Sequence, residues 1–147
     1  MPEKETLERA RRDKREGKSP STQAGEFVHE EVEHVREGKH GARSTKQMIA
    51  IGLAKARRAG VKLPPPPKMA SRATRQRAAS DTRAGRKRTA RPSPARSRAS
   101  SRKLKGEGHR VASTAALSRQ AKTAARKRSA VARSRSGQKA ARTRRKK

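Results

Sequence analysis

The chain has no cysteine, tryptophan or tyrosine, and Phe27 is its one phenylalanine. The absence of cysteine excludes a disulfide framework, a cysteine-ligated zinc site and a thiol nucleophile. With a single aromatic ring, the chain has almost no means of stacking nucleobases, which argues against the aromatic platforms that bind single strands. Hydrophobic residues make up 29% of the 147 residues and many of them are alanine, so we expect no sizeable hydrophobic core.

Long hydrophobic runs are also missing. The most apolar stretch, residues 48–54, is far shorter than the ~20 residues that span a bilayer. Charged residues follow Met1 with no apolar segment behind them, so no secretory signal is visible. We therefore expect a soluble, cytoplasmic protein with no membrane partner.

Acidic residues are nearly absent from the second half. Residues 1–67 hold 15 Lys/Arg and 10 Asp/Glu, whereas residues 68–147 hold 28 Lys/Arg and only Asp81 and Glu107. We call residues 68–147 the basic tail. DNA carries one negative charge per ~1.7 Å of its axis, and cations that bind it release condensed counterions. The charge distribution therefore predicts a nucleic acid as the partner.

Low hydrophobicity with high net charge is typical of disordered chains. The sequence accordingly predicts a mostly α fold with extensive disorder: two or three short helices in residues 1–63, a proline spacer at 64–67, and a disordered basic tail. Residues 84–103, rich in Arg, Ser and Pro, are expected to be disordered. Residues 114–133 lack Gly and Pro, which predicts one helix there that forms when phosphates neutralise its charge.

Three helices are marked by their ends. Residues 3–16 are helix-prone and Gly17 is a stop; Ser19 and Pro20 begin a helix that Gly38 ends. Ser44-Thr45-Lys46-Gln47 fits a capping box, and Gly60 predicts the end of the helix that follows. The second of these helices carries five glutamates and is the one acidic element of the chain.

No constellation of residues points to catalysis. His29 and His34 flank three glutamates and a valine, but their spacing of five places them about 140° apart on a helix, unlike the i,i+4 pair of zinc proteases. Glu30 and His34 have the i,i+4 spacing of a weak metal pair, yet a solvated charged face is the better interpretation. We expect no enzyme activity, catalytic residue, cofactor or metal site.

The cations of the basic tail are the candidate binding residues. They are expected to contact phosphates without reading bases. The predicted nucleic-acid-binding residues are Arg86, Lys87, Arg88, Arg96, Arg98, Arg102, Lys103, Arg119, Lys122, Arg126, Lys127, Arg128, Arg133, Arg142, Arg144, Arg145, Lys146 and Lys147.

Residues 1–67 resemble a family of small basic bacterial proteins whose function is unassigned. The resemblance rests on Arg-Glu-Gly-Lys at 36–39, Ser-Thr-Lys-Gln at 44–47 and Ala-Arg-Arg-Ala-Gly-Val at 56–61, and residues 116–121 are also similar to such proteins. It implies a bacterial, cytoplasmic setting and transfers no binding residue. The basic tail resembles linker-histone tails in composition alone, and it departs from them by favouring Arg over Lys.

Three functions fit these observations. The leading hypothesis is a histone-like, nucleoid-associated protein that binds DNA largely without sequence preference, and whose residues 22–60 contact a second copy or another protein. The first alternative is an RNA- or ribosome-associated protein, because arginine-rich segments also fold on RNA. The second is a stress or interaction protein in which the acidic helix regulates the basic tail.

Overall fold

The computed structural model describes residues 1–87 and 93–145, which are 74% helical. These residues form two compact units, one within residues 1–112 and the other within 113–147. The helices are α1 Lys4–Arg15, α2 Pro20–Arg36, α3 Thr45–Arg58, α4 Arg72–Lys87, α5 Pro94–Lys105, α6 Thr114–Arg126 and α7 Ala130–Arg145, with a short 3₁₀ turn at Arg110–Ala112. In the first unit α1 packs on α2, α2 on α3, and α3 on α4, while the 3₁₀ turn contacts α2 and α3.

The first three helices lie where the sequence places them, because local side chains satisfy their ends. Ser44 Oγ accepts a hydrogen bond from the Gln47 backbone N–H at 3.2 Å. The Gln47 side chain reaches back to the Arg43 N–H at 3.0 Å, one residue before the position that a standard capping box uses. Gly38 and Gly60 adopt left-handed φ angles of 74° and 91° just after α2 and α3, which lets the chain turn away from each helix.

A small core lies between α1, α2 and α3. Phe27 and Ala56 are fully buried in it, and partly buried aliphatic side chains close its edges. Gly52 on α3 permits a close helix crossing, since a Cβ there would lie 2.7 Å from the Cα of Val28 on α2. The small residues at this crossing let the helices close around Phe27, the one aromatic ring of the core.

A buried ion-pair network joins α2 to α3. Lys55 Nζ lies 2.7 Å from Glu30 Oε1 and also contacts Glu31 Oε1, and the two carboxylates are almost wholly buried. Burial raises the pKa of Glu30, but hydrogen bonds from Lys55, Thr6 and the Glu3 backbone N–H outweigh it and leave that pKa below its usual value. Burial likewise lowers the pKa of Lys55, and the two carboxylates more than reverse this, so its pKa is raised. Glu30 and Lys55 therefore stay charged at neutral pH.

The prediction of extensive disorder is wrong for the described residues. Most of the basic tail is helical, including the described parts of residues 84–103, where α4 ends at Lys87 and α5 begins at Pro94. Alanine, arginine and lysine all have high helix propensity, and the cations point into solvent, where water screens their repulsion. The net charge therefore does not decide the local conformation.

The prediction of a single conditional helix at 114–133 is also wrong. The structure has two helices there, α6 and α7, with a break at residues 127–129. Ser113 begins α6 by accepting a hydrogen bond from the Ala116 N–H at 3.2 Å, and Ser129 does the same for the Ala132 N–H at the start of α7. The proline run at 64–67 connects α3 to α4 within the first unit, and the three-part division of the chain stays a prediction.

Candidate nucleic-acid interface

One face of α4 packs against α3. Ala78 is buried, Asp81 Oδ1 accepts a hydrogen bond from Arg58 Nε at 2.8 Å, and Gly85 lies beneath the Arg57 carbonyl oxygen. A Cβ on Gly85 would be only 2.3 Å from that oxygen, so this contact requires glycine. Ala78, Asp81 and Gly85 recur at intervals of three and four residues, which places them on one side of the helix.

The opposite face of α4 carries five exposed cations, together with Gln76, Ala79 and Ser80, and no carboxylate. None of the five cations pairs with a carboxylate of the described residues. They span about 22 Å of helix axis, given a rise of about 1.5 Å per residue. This α4 cationic face consists of Arg72, Arg75, Arg83, Arg86 and Lys87. Because Asp81 points toward α3, the one carboxylate of α4 does not neutralise this face.

The end of α5 is fixed to the connection between α2 and α3. Gly41 makes this possible, since a Cβ on it would lie 1.9 Å from the Glu107 carbonyl oxygen. Four hydrogen bonds to backbone carbonyls hold residues 104–112 in place. They run from Gly41 N to Leu104 O (2.8 Å), Ala42 N to Gly108 O (3.1 Å), Thr45 Oγ1 to Val111 O (2.9 Å) and Arg36 Nε to Ala112 O (3.1 Å).

Cations surround α5. Arg98, Arg102 and Lys105 recur at intervals of four and three residues, so they share one side of the helix, while Arg96 and Lys103 lie on the other. All five side chains are exposed. The first unit thus presents cations on α5 as well as on α4.

In the second unit, α6 separates its cations from its apolar residues. Arg119, Lys122 and Arg126 recur at intervals of three and four residues and are exposed. Leu117 and Ala121 lie on the opposite side of the helix. The sequence therefore forms an amphipathic helix whose polar side is a cationic face.

Two of the predicted binding residues also hold the turn between α6 and α7. Arg133 Nη1 donates to the Arg128 carbonyl oxygen at 2.8 Å, and Arg128 Nη2 donates to the Ala132 carbonyl oxygen at 3.1 Å. Arg128 Nη2 also contacts the Ser136 hydroxyl. Their guanidinium groups therefore have a structural role besides carrying charge.

Every predicted binding residue that the structure describes is exposed. Arg88, Lys146 and Lys147 lie outside the described residues. Arg72, Arg75 and Arg83 of the α4 cationic face were not among the residues predicted from the sequence to bind. The i,i+3,i+7 spacing of Ala78, Asp81 and Gly85 is the signal that identifies the packed side of α4, and thereby the cations on its other side.

The carboxylates of α2, and Glu37 directly after it, pair with cations of the first half. Glu26 lies 2.7 Å from Arg9 Nε, and Glu37 lies 2.9 Å from Lys39 Nζ. Glu33 contacts Arg36 at 3.1 Å, while Glu30 and Glu31 contact Lys55. Among the described residues, then, α2 does not occupy the cations of the basic tail.

The arrangement suits contact with phosphates rather than bases. The cationic faces hold charged donors, and Phe27, the one aromatic ring besides the histidines, is buried between helices. None of the helices described is both long and apolar enough to cross a bilayer. Positioned cations without stacking rings are typical of proteins that bind the nucleic-acid backbone.

Residues 4–68 match the model of a protein family described as a family of unknown function, DUF6496. The match covers α1 to α3 and the proline run, so the helices that carry the cationic faces lie beyond it. No curated protein and no solved structure matches the chain.

Proposed function

We propose that this protein binds duplex DNA through phosphate contacts, without enzymatic activity and largely without sequence preference, in the manner of a histone-like nucleoid protein. The α4 cationic face supplies binding charge at fixed positions, and the cations of α5, α6 and α7 add to it. The first three helices form the support on which α4 is mounted.

The observation that carries the proposal is the packing of α4. Its one carboxylate, Asp81, pairs with Arg58 on the side facing α3, and five cations face solvent over about 22 Å. Over the same length a DNA duplex carries about 13 phosphates. A face of this kind exceeds what solubility requires, because exposed surfaces of soluble domains normally intersperse both signs of charge.

The α2 carboxylates and Glu37 support this proposal over regulation by the acidic helix. They are paired with Arg9, Arg36, Lys39 and Lys55, which leaves the cations of α4 available to an external polyanion. Binding would not require displacing an acidic segment of the same chain.

The test is a salt titration of affinity for a duplex of about 30 base pairs, comparing the full chain with two variants that each lose four charges. The first variant replaces part of the α4 cationic face with glutamine. Its substitutions are Arg72→Gln, Arg75→Gln, Arg83→Gln and Arg86→Gln. The control removes four exposed cations of α1 and α3. Its substitutions are Arg11→Gln, Lys14→Gln, Arg15→Gln and Lys46→Gln.

If all four α4 cations contact phosphates, the slope of log K against log salt becomes shallower by about 3.6 in the first variant. The control variant keeps the wild-type slope. Equal losses in the two variants would show that net charge alone matters and would refute a role for the α4 cationic face. A preference for structured RNA over the duplex would overturn the assignment to DNA.

A further inference from the structure

Three potential metal ligands meet at the end of α2. Glu31 and His34 share one side of the helix, and His40 lies in the connection to α3. His40 Nε2 is 3.5 Å from Glu31 Oε2, and His34 Nδ1 is 3.8 Å from Glu31 Oε1. One ligand atom from each of the three residues lies within 4.8 Å of the other two.

The turn after α2 brings the two histidines together. Gly38 has a left-handed φ of 74°, and the Lys39 N–H donates to the His34 carbonyl oxygen at 2.9 Å. The chain therefore doubles back, and the rings of His34 and His40 pack edge to face with centroids 5.8 Å apart.

The far nitrogen of each imidazole already has an acceptor. His34 Nε2 lies 2.8 Å from Glu3 Oε1, and His40 Nδ1 lies 3.1 Å from the Gly41 carbonyl oxygen. A neutral imidazole that donates from one nitrogen carries a lone pair on the other. In the tautomers that donate to these acceptors, His34 Nδ1 and His40 Nε2 direct lone pairs toward Glu31, and a carboxylate or carbonyl behind each imidazole is the arrangement typical of metal-binding histidines.

Glu31 has unused capacity for a cation. Its side chain is 0% exposed, and within the part of the chain that is described Oε2 has no hydrogen-bond partner. Lys55 contacts Oε1 but also pairs with Glu30 at 2.7 Å, so one ammonium group serves two buried carboxylates. A second positive charge beside Oε2 would balance the cluster.

We propose that Glu31, His34 and His40 bind one divalent transition-metal ion of the zinc type. Two histidine nitrogens and one carboxylate oxygen are a usual ligand set for Zn²⁺, and tetrahedral bonds of about 2.0–2.1 Å require ligand atoms about 3.3 Å apart. His40 Nε2 approaches this separation at Oε2 (3.5 Å) and His34 Nδ1 at Oε1 (3.8 Å), so the ion would draw one oxygen of Glu31 closer to both nitrogens. The side chains of His34 and His40 are 13% and 18% exposed, which leaves a path for the ion and a fourth position for water.

The ion would hold the connection between α2 and α3 in place, where hydrogen bonds to residues 104–112 also hold it. The sequence predicted no metal site. The spacing of residues along the chain identifies only His29, Glu30 and His34 as candidate ligands, and these three do not form the site. His29 is exposed, and Glu30 pairs with Lys55 instead of His34.

The test is a calorimetric titration of Zn²⁺ into the full chain, purified without a histidine tag and treated with chelator. The variants are His34→Gln and His40→Gln, with His29→Gln as the matched control on the same helix. Glu3→Gln tests the acceptor behind His34. Circular dichroism at each step reports whether a variant keeps its helices.

We expect one equivalent of Zn²⁺ to bind. Substituting either proposed ligand should weaken binding roughly tenfold or more, Glu3→Gln should weaken it about 10- to 100-fold, and His29→Gln should have no effect. Visible absorption of the Co²⁺ form provides a second readout, with bands that vanish in His40→Gln. No binding to the wild-type chain, or equal binding by wild type and His40→Gln, would overturn the proposal.

Discussion

Replacing Lys55 with methionine tests whether the buried ion-pair network holds α2 against α3. Methionine keeps most of the lysine volume but leaves Glu30 and Glu31, with side chains 2% and 0% exposed, without their shared cation. At 2.7 Å, one pair attracts with about 6 kcal/mol at an effective dielectric constant of about 20, before desolvation is subtracted. Removing one partner of a buried pair costs about 3–5 kcal/mol in practice.

The assay is urea unfolding followed by circular dichroism at neutral pH with chelator present, so that a bound ion does not compensate for the lost charge. Lys55→Met should lower the free energy of unfolding by about 3–5 kcal/mol with an unchanged m-value. Lys46→Met, at an exposed position of the same helix, should change it by less than about 0.5 kcal/mol. A loss below about 1 kcal/mol for Lys55→Met would refute the reasoning.

Three further predictions concern packing and pH. Gly52→Ala places a Cβ 2.7 Å from the Cα of Val28 and should lower the free energy of unfolding by about 1–3 kcal/mol. Gly25 has open space around it, so Gly25→Ala should raise the free energy of unfolding by up to about 1 kcal/mol. Urea unfolding distinguishes the two variants, and equal effects would contradict the close crossing. Gly85→Ala should loosen α4 from α3 and speed limited proteolysis within α4, and an unchanged cleavage rate would contradict that contact. The folded-state pKa of Glu30 lies below its usual value of 4.5, so the contribution of this group to stability is present above about pH 4.5 and is lost as the pH falls. Glu30→Gln should therefore flatten the acid side of a plot of unfolding midpoint against pH. An unaltered curve would contradict the pairing of Glu30 with Lys55.

The first half of the fold could be predicted from the sequence because its helix ends are encoded locally. Ser19 and Ser44 each accept a hydrogen bond from a backbone N–H three residues on, and Gly38 and Gly60 turn the chain. Such signals involve neighbours in the sequence, so periodicity and cap residues are enough to locate the helices.

The basic tail was predicted wrongly because its composition was taken as evidence of disorder although its residues favour helix. High net charge suggested disorder, whereas alanine and arginine favour helix locally and the packing of Ala78, Asp81 and Gly85 against α3 depends on contacts distant in sequence. The cluster of Glu31, His34 and His40 was missed for a related reason. Its third member comes from a connection whose course depends on the left-handed Gly38.

The cations of α5 to α7 were named as binding residues from composition alone, and that role stays a prediction. What the sequence alone did not supply was which cations lie on one face. That depends on which side of each helix is packed, as the α4 cationic face shows.

The most direct test of the account is the salt dependence of wild-type binding to duplex DNA, measured in parallel with structured RNA over about 50–500 mM salt. Ten phosphate contacts would give a slope of log K against log salt near −9, with tighter binding to DNA and no dependence on its sequence. A slope near zero, or a clear preference for RNA, would contradict DNA binding through phosphate contacts.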